Sequence, residues 1–224
     1  MKPAGLAVLA SGGGTNLQAL LDRFNGEQAE VARVELVIAS RSGIGALDRA
    51  ATAGVSTAVV DPRAHAEGGG PELLRVLTDH RIDIVILAGY LHLIPGEVVE
   101  RFRGRMLNVH PALLPAFGGV GMYGMRVHRA VIESGARVSG ATVHQVDERY
   151  DEGAIVAQWP VPVLRGDTPE VLAARVLRAE HLLLPAAVEA FLLNGSVEPP
   201  LADPSAFSLT SGAPTPESIV LLNR

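Results

Sequence analysis

An α/β chain built on a mostly parallel sheet is what this sequence predicts, and three observations predict it. Short apolar runs of strand length alternate with stretches of helical period up to about residue 193. The first run ends in a glycine-rich turn, Gly12-Gly13-Gly14, from which the first helical stretch starts. A later run ends in Asn108-Val109-His110-Pro111, where the proline forbids a central strand from continuing. Strands alternating with helices at this spacing call for a Rossmann-like, mostly parallel central sheet of about seven strands with helices on both faces.

The elements follow in order. Residues 6–10 form the first strand, and Leu17, Leu20, Leu21 and Phe24 mark the helix after the turn. Residues 34–39 are the second strand, and 45–53 a short helix stopped by Gly54. Residues 57–60 read as the third strand. The stretch 61–70, with its proline and three glycines, is a loop before a helix at 71–80. Residues 83–88 and 105–109 are the fourth and fifth strands, with a short helix opened by Pro95-Gly96-Glu97 between them. A helix over 126–134 stops at Gly135. Residues 138–146 and 154–161 are long strands joined by 147–153, an antiparallel excursion. Thr168-Pro169 supplies an N-cap hydroxyl and a first-position proline for a helix to about Leu193, kinked near Pro185. The periodicity ends there. One domain is expected over 1–195 and a loosely packed Pro/Ser-rich tail over 196–224.

Composition narrows the chemistry. The chain has 224 residues, 48% hydrophobic and 19% charged, which is globular composition. A net charge of −5 gives no support to binding nucleic acid or a membrane surface. No apolar run reaches 18 residues, and the apolar start is too short for a secretory leader, so a cytoplasmic location is expected. Cysteine is absent, which removes disulfides and thiol nucleophiles; Lys2 is the only lysine. Reactive groups must therefore come from His, Asp, Glu, Asn, Ser, Thr or a cofactor.

Three motifs carry that chemistry. In Ser11-Gly12-Gly13-Gly14-Thr15-Asn16 a turn between strand and helix aims backbone N–H groups at one spot, which suits a phosphate. Leu17 follows Asn16, so neither nucleotide-loop fingerprint is met, and a tight turn capped by Asn or Thr would look the same. Asn108 and His110, two apart on a strand, leave its carboxyl end pointing the same way, where open α/β sheets hold ligands. In the run from Ser139 to Gly153, Thr142 and His144 share a strand face and Asp151 lies on the following turn. A carboxylate beside an imidazole raises its pKa and fixes its tautomer; a solvated acidic hairpin is the plainer alternative. His110, His128, His144 and Asp151 match no compact metal motif, so no metal is expected.

Taken together, in this order, Ser11–Gln18, Asn108–Pro115 and Ser139–Gly153 resemble the phosphoribosylglycinamide formyltransferases, folate-dependent enzymes of purine synthesis within the wider formyltransferase family. The likeness covers roughly residues 5–195. It implies the formyltransferase fold in a single catalytic domain, 10-formyltetrahydrofolate as co-substrate, and glycinamide ribonucleotide (5-phosphoribosylglycinamide) as the acceptor amine. The amine would attack directly through a tetrahedral state, with no enzyme-bound intermediate. The implied catalytic trio is Asn108, His110 and Asp151. Asn108 and a protonated His110 would stabilise the carbonyl oxygen. Asp151 would keep His110 cationic and relay the amine proton, and Thr142 and His144 would order a water.

The resemblance also implies substrate phosphate and ribose contacts at Gly13, Gly14, Thr15, Asn16, Leu17 and Glu180. Folate contacts are implied at Arg63, at Leu91, His92, Leu93 and Ile94, at Asn108, and at Val146, Asp147, Glu148 and Asp151. Two departures stand out: His92 where some relatives carry Arg, and a longer loop over 116–125. Monomer or homodimer, and small-molecule partners only, are the expectation. Two other family activities remain open on the motifs. Methionyl-tRNA formyltransferase would need an RNA-binding domain and more basic charge, and formyltetrahydrofolate hydrolase an added regulatory domain; neither is expected here. A nucleotide sensor built on the glycine turn would leave Asn108, His110 and Asp151 unexplained.

Overall fold

A computed structural model describes residues 2–26, 30–64, 69–194 and 220–221. The chain forms two compact units: Met1–Asn108 with Val146–Glu148, and Val109–Gln145 with Arg149–Arg224.

In the first unit the elements run β1 (Ala4–Ala10), α1 (Thr15–Phe24), β2 (Ala32–Ala39), α2 (Gly45–Thr52), β3 (Ser56–Val59), a 3-10 turn (Pro62–Ala64), α3 (Gly70–Asp79), β4 (Ile84–Leu87), α4 (Gly96–Arg101) and β5 (Met106–His110). The strand order is β3-β2-β1-β4-β5, and every neighbouring pair is parallel. Leu6 to Ala10 are buried without interruption, as a parallel strand covered on both faces requires. Leu9, Leu36, Ile38, Leu73, Leu77, Val85, Val98 and Phe102 belong to one apolar cluster, each contributing roughly 1.5–3 kcal/mol on full burial. Helix α1 ends at Asn25, whose carboxamide grips both backbone groups of Val34 at 3.0 Å and so fixes the helix end to β2.

Strand β1 lies between β2 and β4, so the chain reverses its direction of travel there. Open α/β sheets bind ligands at such a switch point, beyond the carboxyl ends of the strands. Two loops meet at it. The Ser11 N–H donates to the Gly89 carbonyl (3.1 Å), and the Leu91 N–H donates to the Ser11 hydroxyl (3.1 Å). Ser40, at the end of β2, adds its own hydroxyl to Ser11 at 2.9 Å.

The second unit contains α5 (Met125–Ser134), β6 (Val138–Gln145), β7 (Ile155–Pro162), α6 (Pro169–Asn194) and β8 (Val220–Leu221). Strands β6 and β7 are antiparallel with Thr142 opposite Gln158, which is the expected excursion. Strand β6 stops at Gln145 because the Val146 N–H turns to the Met106 carbonyl, 2.9 Å away. Helix α6 packs on β6, β7 and α5 with a stripe of Leu172, Val176, Ala179, Leu183, Ala187 and Phe191 buried at helical spacing. The Thr168 hydroxyl accepts from the Val171 N–H (3.4 Å), the expected cap, and α6 continues through Pro185 without ending.

The α/β, mostly parallel expectation holds, and element limits differ from it by one or two residues. Strand β8 is additional: Val220 and Leu221 pair antiparallel with Gln158 and Ala157, inside the stretch read as a tail. The remainder of that stretch, and part of the loop 61–70, lie outside the described residues.

Candidate active site

The glycine turn is shaped from one side by α2. Gly14 caps α1 with φ 73° and no side-chain cap, so neither Asn16 nor Thr15 plays that part. A Cβ on Gly14 would stand 2.7 Å from the Ala46 Cα, which excludes any other residue even apart from the left-handed backbone. Gly12 and Gly13, by contrast, face open space and are exposed, as is Thr15. Asn16 and Leu17 are buried in the first turn of α1. Glu180 is buried on α6.

Beyond β4, Leu91 and Leu93, on either side of His92, are 48% and 47% exposed. Ile94 between them and α4 is buried in the apolar cluster, so its side chain is structural. The Tyr90 and His92 rings meet edge to face at 5.5 Å. Arg63 is exposed and paired with Asp61 at 3.2 Å, and that pairing holds the Asp61 carboxyl below its usual range. Val146 packs partly on the apolar cluster and Asp147 is half-buried, while Glu148 is exposed and bound to Arg103 at 3.0 Å.

Asn108 lies on β5 opposite Leu87 of β4. Two residues on, His110 is buried at the end of the strand. Its Nε2 lies 2.9 Å from the Phe117 carbonyl, so that nitrogen carries the proton and donates it there. Its Nδ1 faces Asp151 Oδ2 at 3.5 Å. His144 sits on the other side of the carboxylate, with Nε2 3.6 Å from Oδ1 and Nδ1 donating to the Gln145 carbonyl at 2.8 Å. The Gly119 N–H completes the set, donating to Asp151 Oδ2 at 2.9 Å. Phe117 and Asp151 both take left-handed backbone, φ 57° and 59°. Such conformations cost of order 1–3 kcal/mol in a bulky residue and persist where the surroundings impose them.

Burial is the largest influence on both members of the pair. It pushes the His110 pKa down, and the attraction of Asp151 and the Phe117 carbonyl do not restore it. For Asp151 burial works upward, but hydrogen bonding from His144, the charge of His110 and the Gly119 amide together hold the carboxyl below its usual range. Burial of the ring thus opposes the expected pull of Asp151 toward a cationic His110.

Thr142 also departs from expectation. Its hydroxyl donates to the Ala112 carbonyl (2.7 Å) and accepts from the Leu114 N–H (3.1 Å) and Gln158 Nε2 (3.0 Å). One donor and two lone pairs are then filled, and nothing is left to order a water. Thr142 and Gln158 instead pin residues 112–114, just after His110. Gln158 was legible as a lone polar residue in the apolar run 155–161; the backbone groups of Phe117 and Gly119 carry no sequence signal. Among the described residues no cluster of three or more His, Cys, Asp or Glu is arranged to hold a metal.

The formyl transferase family model matches residues 4–188. Phosphoribosylglycinamide formyltransferase, chloroplastic, of Arabidopsis thaliana is 48% identical over 187 residues, covering 80% of this chain and 62% of that protein. Its counterpart from Vigna unguiculata is 46% identical over 188 residues, covering 83% and 60%. The chain thus spans less than two thirds of the plant relatives it matches. Among solved structures, glycinamide ribonucleotide transformylase 1 from Symbiobacterium toebii superposes with a TM-score of 0.80 at 40% identity, covering 86% of this chain and 89% of that one. Phosphoribosylglycinamide formyltransferase from Brucella melitensis gives 0.77 at 39% identity, covering 85% and 96%.

Proposed function

The chain belongs to the formyl transferase family, and from that premise we propose that it transfers the formyl group of 10-formyltetrahydrofolate to the amine of 5-phosphoribosylglycinamide, in purine biosynthesis. The observation that carries the reading is the half-buried carboxylate of Asp151 fixed 3.5 Å from the His110 imidazole, whose other nitrogen is committed to Phe117. An amine attacking a formyl carbon must lose a proton, and a proton acceptor backed by an anion is what that step needs.

The roles follow from the groups. The folate supplies the formyl carbon, and the exposed Leu91 and Leu93 beside the switch point offer apolar surface suited to its ring system. Asn108 donates from its carboxamide to the oxygen that gains negative charge, a contribution of the kind whose removal costs on the order of 10²–10³ in rate. His110 receives the amine proton at Nδ1, Asp151 stabilises the imidazolium so formed, and the ring returns that proton to the folate nitrogen as its bond to the formyl carbon breaks and tetrahydrofolate leaves. The amides of Gly13, Gly14 and Thr15, at the positive end of α1, hold the substrate phosphate, with Gly13 and Thr15 exposed and Gly14 half-buried. Glu180 is assigned to the ribose. Chemistry of this kind requires no covalent intermediate, in keeping with a chain that has no cysteine and lysine only at position 2.

We place the protein in the cytoplasm, acting on small molecules as a monomer or homodimer; its acidic net charge of −5 disfavours a polyanionic partner. Subcellular fractionation and light scattering test those two points. The activity is tested by incubating the protein with 10-formyltetrahydrofolate, with and without glycinamide ribonucleotide. Tetrahydrofolate released only with the amine supports transfer. Release without it makes the protein a hydrolase, and no release in either case defeats the proposal.

A further inference from the structure

Resting on the phosphate-binding role given above to the glycine turn, we propose that Arg49 is a positioning residue for the substrate phosphate, acting through the Gly13 carbonyl rather than on the ligand. Arg49 lies on α2, and its Nε donates to the Gly13 carbonyl at 2.9 Å. Its Nη1 donates to Gln18 Oε1 at 3.0 Å, and Gln18 is oriented by donating its own amide to Asp22 at 2.8 Å. One turn earlier on α2, the Ala46 N–H donates to the Gly12 carbonyl at 3.2 Å, and a Cβ on Gly45 would come 3.1 Å from the Gly13 oxygen. Residues 45, 46 and 49 share one side of the helix and press together on the turn.

The consequence comes from the planarity of the peptide. In a trans peptide the N–H points opposite to the carbonyl of the same plane. With the Gly12 and Gly13 carbonyls both turned to α2, the N–H groups of Gly13 and Gly14 both point away from it. Two successive amides directed to one side, ahead of a helix amino end, form a concavity for an anion. The two planes are not held equally. The Gly12 carbonyl is held by main chain, but the recorded partner of the Gly13 carbonyl is the Arg49 side chain. Glycines rotate at little steric cost, so without Arg49 the Gly13–Gly14 plane is loose and the Gly14 amide loses its aim. Lysine is no substitute, because a point ammonium cannot span two acceptors in the fixed plane that Nε and Nη1 provide.

The test uses the full chain with Arg49→Gln and Arg49→Lys. Two readouts separate the inference from the proposed activity: steady-state kinetics, and binding of ribose 5-phosphate followed by the amide NMR signals of Gly13 and Gly14. Arg49→Gln should raise KM for glycinamide ribonucleotide and Kd for ribose 5-phosphate by about tenfold, with kcat and the folate KM within about twofold. Arg49→Lys should recover only part of the loss. Unchanged ribose 5-phosphate affinity, an equal rise in both KM values, or full recovery by lysine would each overturn the assignment. If Arg49→Gln does not fold, Gln18→Ala serves, with the same selective change at smaller size. A chain that lacks transfer activity yet loses ribose 5-phosphate on Arg49→Gln would sink the proposed function and leave Arg49 standing.

Discussion

The His110 imidazole and the Asp151 carboxylate stand 3.5 Å apart, and burial rather than their attraction sets the charge of the ring. The pH dependence of turnover follows. If a neutral His110 accepts the proton, activity falls as the ring protonates, and its pKa lies below the ordinary imidazole value of about 6.5. The acid limb of kcat/KM is expected below about pH 6.5. A limb above pH 7 would mean that Asp151 holds the ring cationic after all.

Asp151→Asn should leave folding intact and nearly abolish turnover. Asparagine tolerates the left-handed backbone at this position and can still accept from the Gly119 N–H. The variant therefore isolates the charge. A fall in kcat of about 10³ or more is expected, with substrate binding retained by calorimetry and Tm little changed. Unimpaired turnover removes Asp151 from the mechanism.

Gly13 and Gly14 should respond differently to substitution. A side chain at Gly13 enters open space, so Gly13→Val should keep Tm and raise KM for glycinamide ribonucleotide, sparing the binding of a folate analogue. Gly14→Ala meets the Ala46 backbone at 2.7 Å on a left-handed backbone, so it should lower Tm. Weakening of both ligands alike by Gly13→Val would argue against a dedicated phosphate contact.

His128, 4% exposed on α5, has no hydrogen-bond partner at Nδ1 among the described residues, and burial followed by the charge of His110 pushes its pKa down to about 4. The unfolded chain binds this proton near pH 6.5 and the folded chain only near 4. Stability is therefore full above pH 6.5 and is lost as pH falls toward 4, by up to about 3 kcal/mol for this group. His128→Gln should flatten the decline by that amount in urea titrations between pH 7 and 4. Parallel curves for the two proteins would contradict the burial argument.

The fold was legible because hydrophobic period and turn residues repeat the same message at every element, from the buried run of β1 to the capped start of α6. The polar motifs were legible for the same reason: Asn108 and His110 stand two apart on β5, where strand alternation dictates their direction. What the sequence concealed depends on numbers or on main chain. Whether His110 is charged is a contest between burial and one carboxylate, and residue names do not carry its outcome. Thr142 has a hydroxyl in any reading; only the three partners around it show that the group is used up. Arg49 reads as one more surface cation until the Gly13 carbonyl is found beneath it.

The grip on His110 and Asp151 is exerted by the peptide unit of residue 117 and the amide of residue 119, not by any side chain between them. Such a grip depends on the path of the chain and not on its lettering. The loop has little room to spare in doing so: a Cβ on Gly118 would stand 2.5 Å from the Leu114 side chain, and Gly119 takes φ 93°. What the stretch must supply is a path, one written in torsion angles.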